Sequence, residues 1–384
     1  MKKVLIAGYG LTKVEEHWDR SLENLMAESS LKALEYAGLS RVDAVYVANV
    51  YGEVLQEQAV LGSVLAEELG MSGVQAYRIE AGAASGIAAV KMAANAIQSG
   101  EANVVLVTGV EKLSDGTAEE HLALTAMEER EEYTGQMGVH QAASAALLYR
   151  LYLSRYGARQ DGIAQFAVIS HENAVGVSHA QYPFKVGLDT VMKSPYLSEP
   201  LHRLEATAVA DGSAAIILCS EDFAAKLDPP KARLAACSLA TDYVTPFDRE
   251  DPLHFQALAR ATHSALEMAG VSREQIGFLE LHDSFSIVAA LSLESSGFFP
   301  RGKAGEAALA GKLSLNGELP INTFGGLKAR GHPVGATAIY QLAEAYLQLT
   351  HQAGKNQLDN AKHAMVQSLA GLGCAAAVCI LEEA

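Results

Sequence analysis

The chain has 384 residues, 49% of them hydrophobic, and carries a formal net charge of -16 at pH 7. Its length supplies one large core or two of about 150 to 200 residues each. The acidic charge, without any run of lysine or arginine, argues against nucleic acid or an anionic membrane as a partner. No apolar run approaches the roughly 18 to 20 residues of a membrane span, so we expect a globular protein of the cytoplasm.

The predicted elements begin with a buried strand. After two lysines, the apolar run of residues 4–7 stops at Gly8, which is too short for the core of a signal peptide. A helix ending near residue 37 leads into a strand at 44–50, and a further helix is predicted at 86–99. Polar helices follow at 119–133 and 141–156. Strands alternating with helices indicate an α/β protein.

Three segments of the first half recur in the second. Residues 33–41 reappear as 265–273 with seven of nine residues identical. In both places a helix ends at a glycine and leads into an apolar strand, which is predicted at 276–281 in the second half. The helix at 86–99 corresponds to a helix predicted at 335–348, and this alignment places Ala83 opposite His332. Residues 211–218 correspond to 371–378. The chain is therefore predicted to be a duplication of two βαβ-rich halves.

These correspondences divide the chain into three parts. The first half comprises residues 1–112 and 206–230, the second half comprises residues 231–384, and residues 113–205 form an insertion without a counterpart. Long insertions of this kind usually cover an active site or bind its ligand, so the ligand-binding residues are expected within 113–205. Its basic residues are candidates for phosphate contacts: Arg155, Arg159, Lys185, Lys193, His202 and Arg203. Its larger aromatic and methionine residues are candidates for the pocket lining: Tyr133, Met137, Tyr182, Phe184, Met192 and Tyr196.

One histidine stands out by its setting. His332 follows Gly331 and precedes Pro333 in a glycine-rich turn at the predicted start of a helix. Glycines allow the turn to approach a ligand closely, and proline presets the dihedral angle of a first helical turn. Such a histidine lies beside the unpaired amides and the positive dipole end of the helix.

Several motifs resemble those of the thiolase superfamily. Gly331-His332-Pro333 matches its histidine loop, residues 211–215 its Asp-Gly-x-Ala-Ala turn, and His282-Asp283-Ser284-Phe285 the position of its Asn-Glu-Ala-Phe loop. The His-Asp variant resembles sterol-carrier-protein-2 type thiolases and their bacterial and archaeal relatives, such as acetyl-CoA acetyltransferases. The resemblance implies a five-layered αβαβα fold and a homodimer or dimer of dimers. It also implies acyl-CoA and coenzyme A as substrates, with no covalently bound cofactor and no metal, and a small OB-fold, zinc-ribbon partner as in some relatives.

The nucleophile of the family is absent. The family places a cysteine at the head of a buried helix in a motif such as Glu-Ala-Ala-Cys-Ala-Ser-Gly, whereas residues 80–86 read Glu-Ala-Gly-Ala-Ala-Ser-Gly, with Ala83 at the cysteine position. A helix start lowers the pKa of a thiol and stabilises a thioester oxyanion, which explains that placement. The second cysteine, in a Cys-x-Gly loop, is also missing from the aligned residues 367–371.

The remaining catalytic candidates are two histidines. His282 and His332 are expected to exchange protons with substrate at pKa values tunable to near neutrality. Asp283, Ser284, Gly331, Pro333 and Asn322 are expected to support them.

The four cysteines offer no replacement nucleophile. They lie in strand-like apolar runs without metal-type spacing, which predicts buried thiols in a reducing compartment: Cys219, Cys237, Cys374 and Cys379.

Three functions remain open. The first is a thiolase, which cleaves a 3-ketoacyl-CoA with CoA or runs the reverse Claisen condensation, inactivated because alanine replaces a cysteine of the parent sequence. The second is a natural, cysteine-free retro-aldolase or lyase acting on a 3-hydroxyacyl-CoA with an OB-fold, zinc-ribbon partner, although such relatives tend to carry tyrosines where this chain has histidines. The third is a non-catalytic acyl-CoA-binding or scaffold subunit.

Overall fold

The computed structural model describes residues 2–359 and 361–384. The strands are β1 (Val4–Leu11), β2 (Ala44–Ala48), β3 (Gln75–Ile79), β4 (Val104–Lys112), β5 (Tyr196–Ser198), β6 (Leu201–His202), β7 (Asp211–Ser220), β8 (Ala232–Thr241), β9 (Phe278–Glu280), β10 (His363–Ala370) and β11 (Ala375–Glu383). The helices are α1 (Leu22–Ala37), α2 (Gly52–Leu55), α3 (Leu61–Glu68), α4 (Ser85–Ser99), α5 (Ala118–Ala126), α6 (Gln141–Tyr156), α7 (Gln160–Ala174), α8 (Leu188–Lys193), α9 (Glu221–Ala224), α10 (Gln256–Ala269), α11 (Ser286–Ser295), α12 (Ala304–Leu309) and α13 (Thr337–Leu349).

Nine strands form two wings that meet at one short junction. The first wing has the order β3-β2-β4-β7-β1, and the second continues as β8-β11-β10-β9. Only three residue pairs, from Val4–Leu234 to Ile6–Ala232, join β1 to β8. Within each wing parallel and antiparallel pairs are mixed, because β2 runs parallel to β4 while β7 runs antiparallel to it.

The second wing repeats the first. Strands β9, β10, β11 and β8 follow the same order and directions as β2, β4, β7 and β1. A single parallel bridge between Leu279 and Ile321 takes the place of β3. The corresponding helices α1 and α10 both end at a left-handed glycine, Gly38 with φ 68° and Gly270 with φ 70°. The duplication predicted from the sequence is confirmed.

Helices lie between the wings and outside them. Every residue of α13 is buried, and the helix packs against β7 of the first wing and β10 of the second. Helix α4 packs beside it against β2, β4 and β8. Helix α1 covers the outer face of the first wing and α10 that of the second. A helix that is buried on every side lies within the core, and this arrangement gives the predicted five layers.

Some predicted boundaries were wrong. The strand predicted at 44–50 ends at Ala48, because the backbone amides of Val50 and Tyr51 donate to the carboxylate of Glu111 instead of a neighbouring strand. The helix predicted at 119–133 stops at Ala126, and a π-helical turn, Glu131–Gly135, follows after Arg130 takes an extended conformation.

The helix predicted at 141–156 has the predicted bounds in α6. Across residues 2–359 and 361–384, none of the helices has both the length and the apolar character needed to cross a membrane.

Candidate active site

Ala83 lies in a tight turn just before α4. Its side chain is 2% exposed, and the hydroxyl of Ser368 on β10 donates to its carbonyl at 2.7 Å. Gly82 precedes it with φ 55°, where a Cβ would lie 2.6 Å from the Cβ of Ala370. The turn is therefore held against the second wing by a contact that only glycine allows.

His332 lies at the corresponding position of the second half. Gly331 has φ 111°, and a short 3-10 turn, Val334–Ala336, leads from the histidine into α13. The helix therefore begins at Thr337 and not at residue 335, because Pro333 and the 3-10 turn precede it. Thr337 Oγ1 lies 2.7 Å from His332 Nδ1, which leaves Nε2 for a ligand.

His282 follows β9 and faces His332. The two imidazole rings meet edge to face with their centroids 5.3 Å apart. Within the described part of the chain, His282 Nδ1 is buried and lacks a hydrogen-bond partner. A buried nitrogen of this kind costs free energy unless a ligand or water satisfies it, so His282 Nδ1 is a candidate ligand-binding atom.

The predicted supporting residues shape the loops around the histidines. Asn322 Oδ1 accepts from the Leu281 amide at 2.6 Å and fixes the chain just before His282. Asp283 accepts from the Leu327 amide at 2.7 Å and from the Ser170 hydroxyl at 2.9 Å, which ties the loop before His332 to α7.

A cavity of about 450 Å³ joins the candidate residues. Ala83, His282, Ser284 and His332 line it from the two halves, and Glu128 and Arg203 line it from the insertion. Asp283, Asn322, Gly331 and Pro333 do not line the cavity.

The insertion lines the cavity, as expected, but, apart from Arg203, not through the residues that were predicted. None of the six aromatic and methionine residues proposed for it borders this cavity, and of the six basic residues only Arg203 does. Tyr182 and Phe184 pack against the ring of His171 instead, and Tyr196 stacks on His202 with centroids 4.4 Å apart. Tyr133 and Met137 are exposed. Residue type alone does not distinguish packing within an insertion from contact with its ligand.

Burial favours the uncharged form of both histidines. Burial, and next the guanidinium of Arg330, lower the pKa of His282 to about 3. Burial and the neighbouring His282 hold the pKa of His332 well below its usual value. The predicted tuning of both groups to near neutrality is therefore wrong. Each histidine is a neutral imidazole, able to donate through one nitrogen and to accept through the other.

Glu128 is a site residue that was not predicted from the sequence. It lies just after α5 in an acidic run, residues 128–132, which has the composition of a solvated surface. Its carboxylate accepts from the Gly371 amide at 2.5 Å, the Tyr51 hydroxyl at 2.9 Å and the Gln141 side chain at 3.0 Å. Burial raises its pKa, and the charge of Glu80 adds to this effect.

The hydroxyl and thiol groups nearest to Ala83 and Gly371 are poorly placed to act as nucleophiles. Ser85 is fully buried, accepts from the Ala81 amide at 2.7 Å and donates to the Gly82 carbonyl at 2.5 Å. Cys374 lies close to Gly371 but outside the cavity lining, and burial and Glu128 raise its pKa to about 11. A thiol with so high a pKa provides little thiolate at neutral pH.

The other three cysteines are buried in the sheet, as predicted. Cys237 and Cys379 are directly paired across β8 and β11, and their sulfur atoms are 3.2 Å apart.

Comparison with known proteins agrees with this geometry over nearly the whole chain. Residues 4–222 match the family model described as thiolase, N-terminal domain, and residues 239–383 match the thiolase C-terminal domain-like model. The chain is 35% identical to the acetyl-CoA acetyltransferase of Methanothermobacter thermautotrophicus, with all of both chains covered. It is 30% identical to sterol carrier protein 2 of Homo sapiens, covering 98% of this chain and 71% of the relative.

A solved structure shares the fold. The Ltp2-ChsH2(DUF35) aldolase superposes with a TM-score of 0.86 at 24% identity, over 99% of this chain and 98% of that one. Both family models and the full-length relatives lead to the same assignment: this chain belongs to the thiolase family.

Proposed function

We propose that the cavity binds an acyl thioester of coenzyme A and that the chain is an acyl-CoA C-acyltransferase without its covalent step. One observation carries this proposal: Ala83, at the head of α4, lies in the same cavity as His282 and His332. This is the position at which a nucleophile would meet both a helix start and the two imidazoles. The acetyl-CoA acetyltransferase relative supports the choice of substrate class.

The chemistry that remains is polarisation and proton transfer. The positive end of the α4 dipole favours negative charge on a thioester oxygen beside Ala83, and a neutral histidine N–H stabilises an enolate oxygen without donating a full charge. A methyl group accepts no acyl chain. In a serine protease, loss of the nucleophile lowers turnover on the order of a million-fold, so we expect thiolysis to be undetectable.

The test restores the nucleophile. Ala83→Cys should cleave a 3-ketoacyl-CoA in a CoA-dependent reaction and form an acyl-cysteine detectable by mass spectrometry. Ala84→Cys is the matched control, because Ala84 is the adjacent residue, is 1% exposed and does not border the cavity. The proposal fails if a folded Ala83→Cys variant binds CoA, as calorimetry would show, yet forms no acyl-enzyme.

A second candidate function is the cysteine-free lyase. Glu128 favours it, because a carboxylate in the cavity supplies an acid–base group that needs no acyl-enzyme. This function predicts that the chain as written releases an aldehyde or ketone from a 3-hydroxyacyl-CoA and that His282→Ala abolishes the release. If calorimetry detects binding of neither acyl-CoA nor CoA, both enzymatic proposals fail and the scaffold function replaces them.

For the assembly we propose a homodimer or dimer of dimers in the cytoplasm. Strand β3 is at the free edge of the first wing, and Tyr77 on it is 49% exposed. An unpaired edge of this kind is a template for pairing with a second chain. The boundaries assigned to the two halves and to the insertion at 113–205 likewise stand as our proposal. Light scattering should give at least twice the 40.6 kDa chain mass.

We also propose a small OB-fold, zinc-ribbon partner. The name of the Ltp2-ChsH2(DUF35) complex pairs that aldolase with a second subunit. In this chain the segment 122–137 exposes several apolar side chains that such a subunit would cover: Leu122, Met127, Tyr133 and Met137. Co-purification of a small zinc-containing protein, reduced by polar substitutions in this segment, is the expected result.

A further inference from the structure

Glu128 lies where the acid–base loop of the site is incomplete. The aligned Cys-x-Gly segment reads Leu369-Ala370-Gly371, and the Leu369 side chain is fully buried in the core. The Gly371 amide donates to Glu128 Oε2 at 2.5 Å, so the carboxylate is anchored to this loop. The Glu128 carboxylate therefore lies beside this loop. Residues 369–371 of the loop carry no ionisable side chain.

The carboxylate also borders the turn that carries Ala83. A Cβ built on Gly82 would lie 3.5 Å from the carboxyl carbon of Glu128, and Gly82 immediately precedes Ala83. Glu128, Ala83, His282 and His332 all line the one cavity. A ligand whose carbonyl lies over Ala83 therefore brings its neighbouring carbon atoms within reach of the carboxylate.

The contacts of Glu128 hold it without neutralising it. Tyr51 and Gln141 donate to its two oxygens together with the Gly371 amide, and all three donors are uncharged. The Tyr51 hydroxyl remains protonated, because burial and Glu128 raise its pKa. Glu80 and Glu129 are acidic groups close enough to interact with Glu128, and their charge has the same sign. Burial, and with it the charge of Glu80, raises the pKa of Glu128, which makes its carboxylate a stronger base.

We propose that Glu128 is the catalytic base that removes the α-proton of the bound acyl-CoA, in the place of the absent loop cysteine. The carboxylate takes the proton from C2, the C–H bonding electrons form the C2–C1 double bond, and the carbonyl π electrons move to the thioester oxygen. The resulting enolate is held by a histidine N–H, and the reverse steps return the proton. This inference rests on the proposed binding of acyl-CoA.

Deuterium exchange measures this step without a nucleophile. The chain as written is incubated with acetyl-CoA in D₂O, and incorporation of deuterium at C2 is followed by mass spectrometry. Glu128→Gln should lower the exchange rate by at least about 100-fold, the lower bound for general acid–base catalysis, while calorimetry shows unchanged acetyl-CoA affinity. Glu129→Gln is the matched control. Glu129 is the adjacent buried carboxyl, whose pKa is raised by burial to about 7, and it does not border the cavity.

The outcomes separate this inference from the proposed function. Exchange that persists in Glu128→Gln, exchange lost equally in Glu129→Gln, or no exchange with acetyl-CoA bound would each overturn the role of Glu128. Exchange that depends on Glu128, combined with an inert Ala83→Cys variant, supports the base and rejects the disabled thiolase. In an active Ala83→Cys background, thiolysis unaffected by Glu128→Gln would also overturn the inference.

Discussion

Replacing Arg330 with methionine should destabilise the chain strongly. The Arg330 side chain is fully buried two residues before His332, and its Nε donates to Glu344 Oε1 at 3.1 Å. Its Nη1 donates to the Gly331 carbonyl at 2.7 Å, and the guanidinium lies 4.8 Å from the centre of the Tyr340 ring. Methionine fills much of the volume but leaves the Glu344 carboxylate without its cation.

The magnitude follows from the cost of an unpaired buried charge. Removing one partner of a buried ion pair typically costs about 3 to 5 kcal/mol. At about 2.1 cal/mol/K per residue, 384 residues give an unfolding entropy of roughly 0.8 kcal/mol/K. The expected loss in Tm is therefore about 4 to 6 °C.

Calorimetry and urea unfolding of three variants would measure the effect. The double variant Arg330→Met/Glu344→Gln should recover much of the loss, because the neutral amide removes the unpaired charge at position 344 and can still form a hydrogen bond with His179, whose Nε2 lies 2.9 Å from Glu344 Oε1. Lys303→Met is the control. Lys303 pairs with Glu306 on the surface, where such pairs contribute about 0 to 1 kcal/mol. If the free energy of unfolding of Arg330→Met lies within about 1 kcal/mol of the parent value, the reasoning is refuted.

Two further predictions concern the turn before α4 and the effect of pH. Gly82→Ala should lower the free energy of unfolding, measured in urea, by about 1 to 3 kcal/mol more than Gly38→Ala does. Both glycines have a positive φ, but only a Cβ at position 82 would clash, with Ala370. Equal losses in the two variants would contradict the clash. Burial lowers the pKa of His171 to about 4, so protonation of the unfolded chain favours unfolding as pH falls from about 6.5 to 4. The free energy of unfolding of His171→Gln relative to the parent should therefore rise as the pH falls from about 6.5 to 4. Burial raises the pKa of Glu205 to about 7, so Glu205→Gln should instead gain stability relative to the parent as the pH rises from about 4.5 to 7. If the relative stability of both variants changes in the same direction with pH, these pKa directions are rejected.

The internal repeat made much of the fold predictable. Glycine caps, strand periodicity and the alignment of Ala83 with His332 are local signals, and the two wings and the common cavity agree with them. Each half repeats one chain topology, so a residue at the head of one central helix predicts the position of its counterpart at the head of the other. The repeat in this way aligned Ala83 with His332, whereas the motif at residues 282–285 identified His282.

The charge state and the insertion were not predictable from local sequence. His282 and His332 have low pKa values because α13 and the surrounding loops exclude water, and desolvation depends on the packing of the whole molecule. Glu128 belongs to an acidic run that is indistinguishable from a surface helix in sequence. Only folding of the insertion against Tyr51 and Gly371 brings its carboxylate to the cavity.

The sequence by itself therefore determined the family and the duplicated halves, since both depend on residue identity and spacing. The tertiary structure decided which residues of the insertion line the cavity and in which direction burial moves the pKa of each group. Both depend on distances and burial between segments far apart in the chain, where Glu128 and Gly371 are separated by more than half its length.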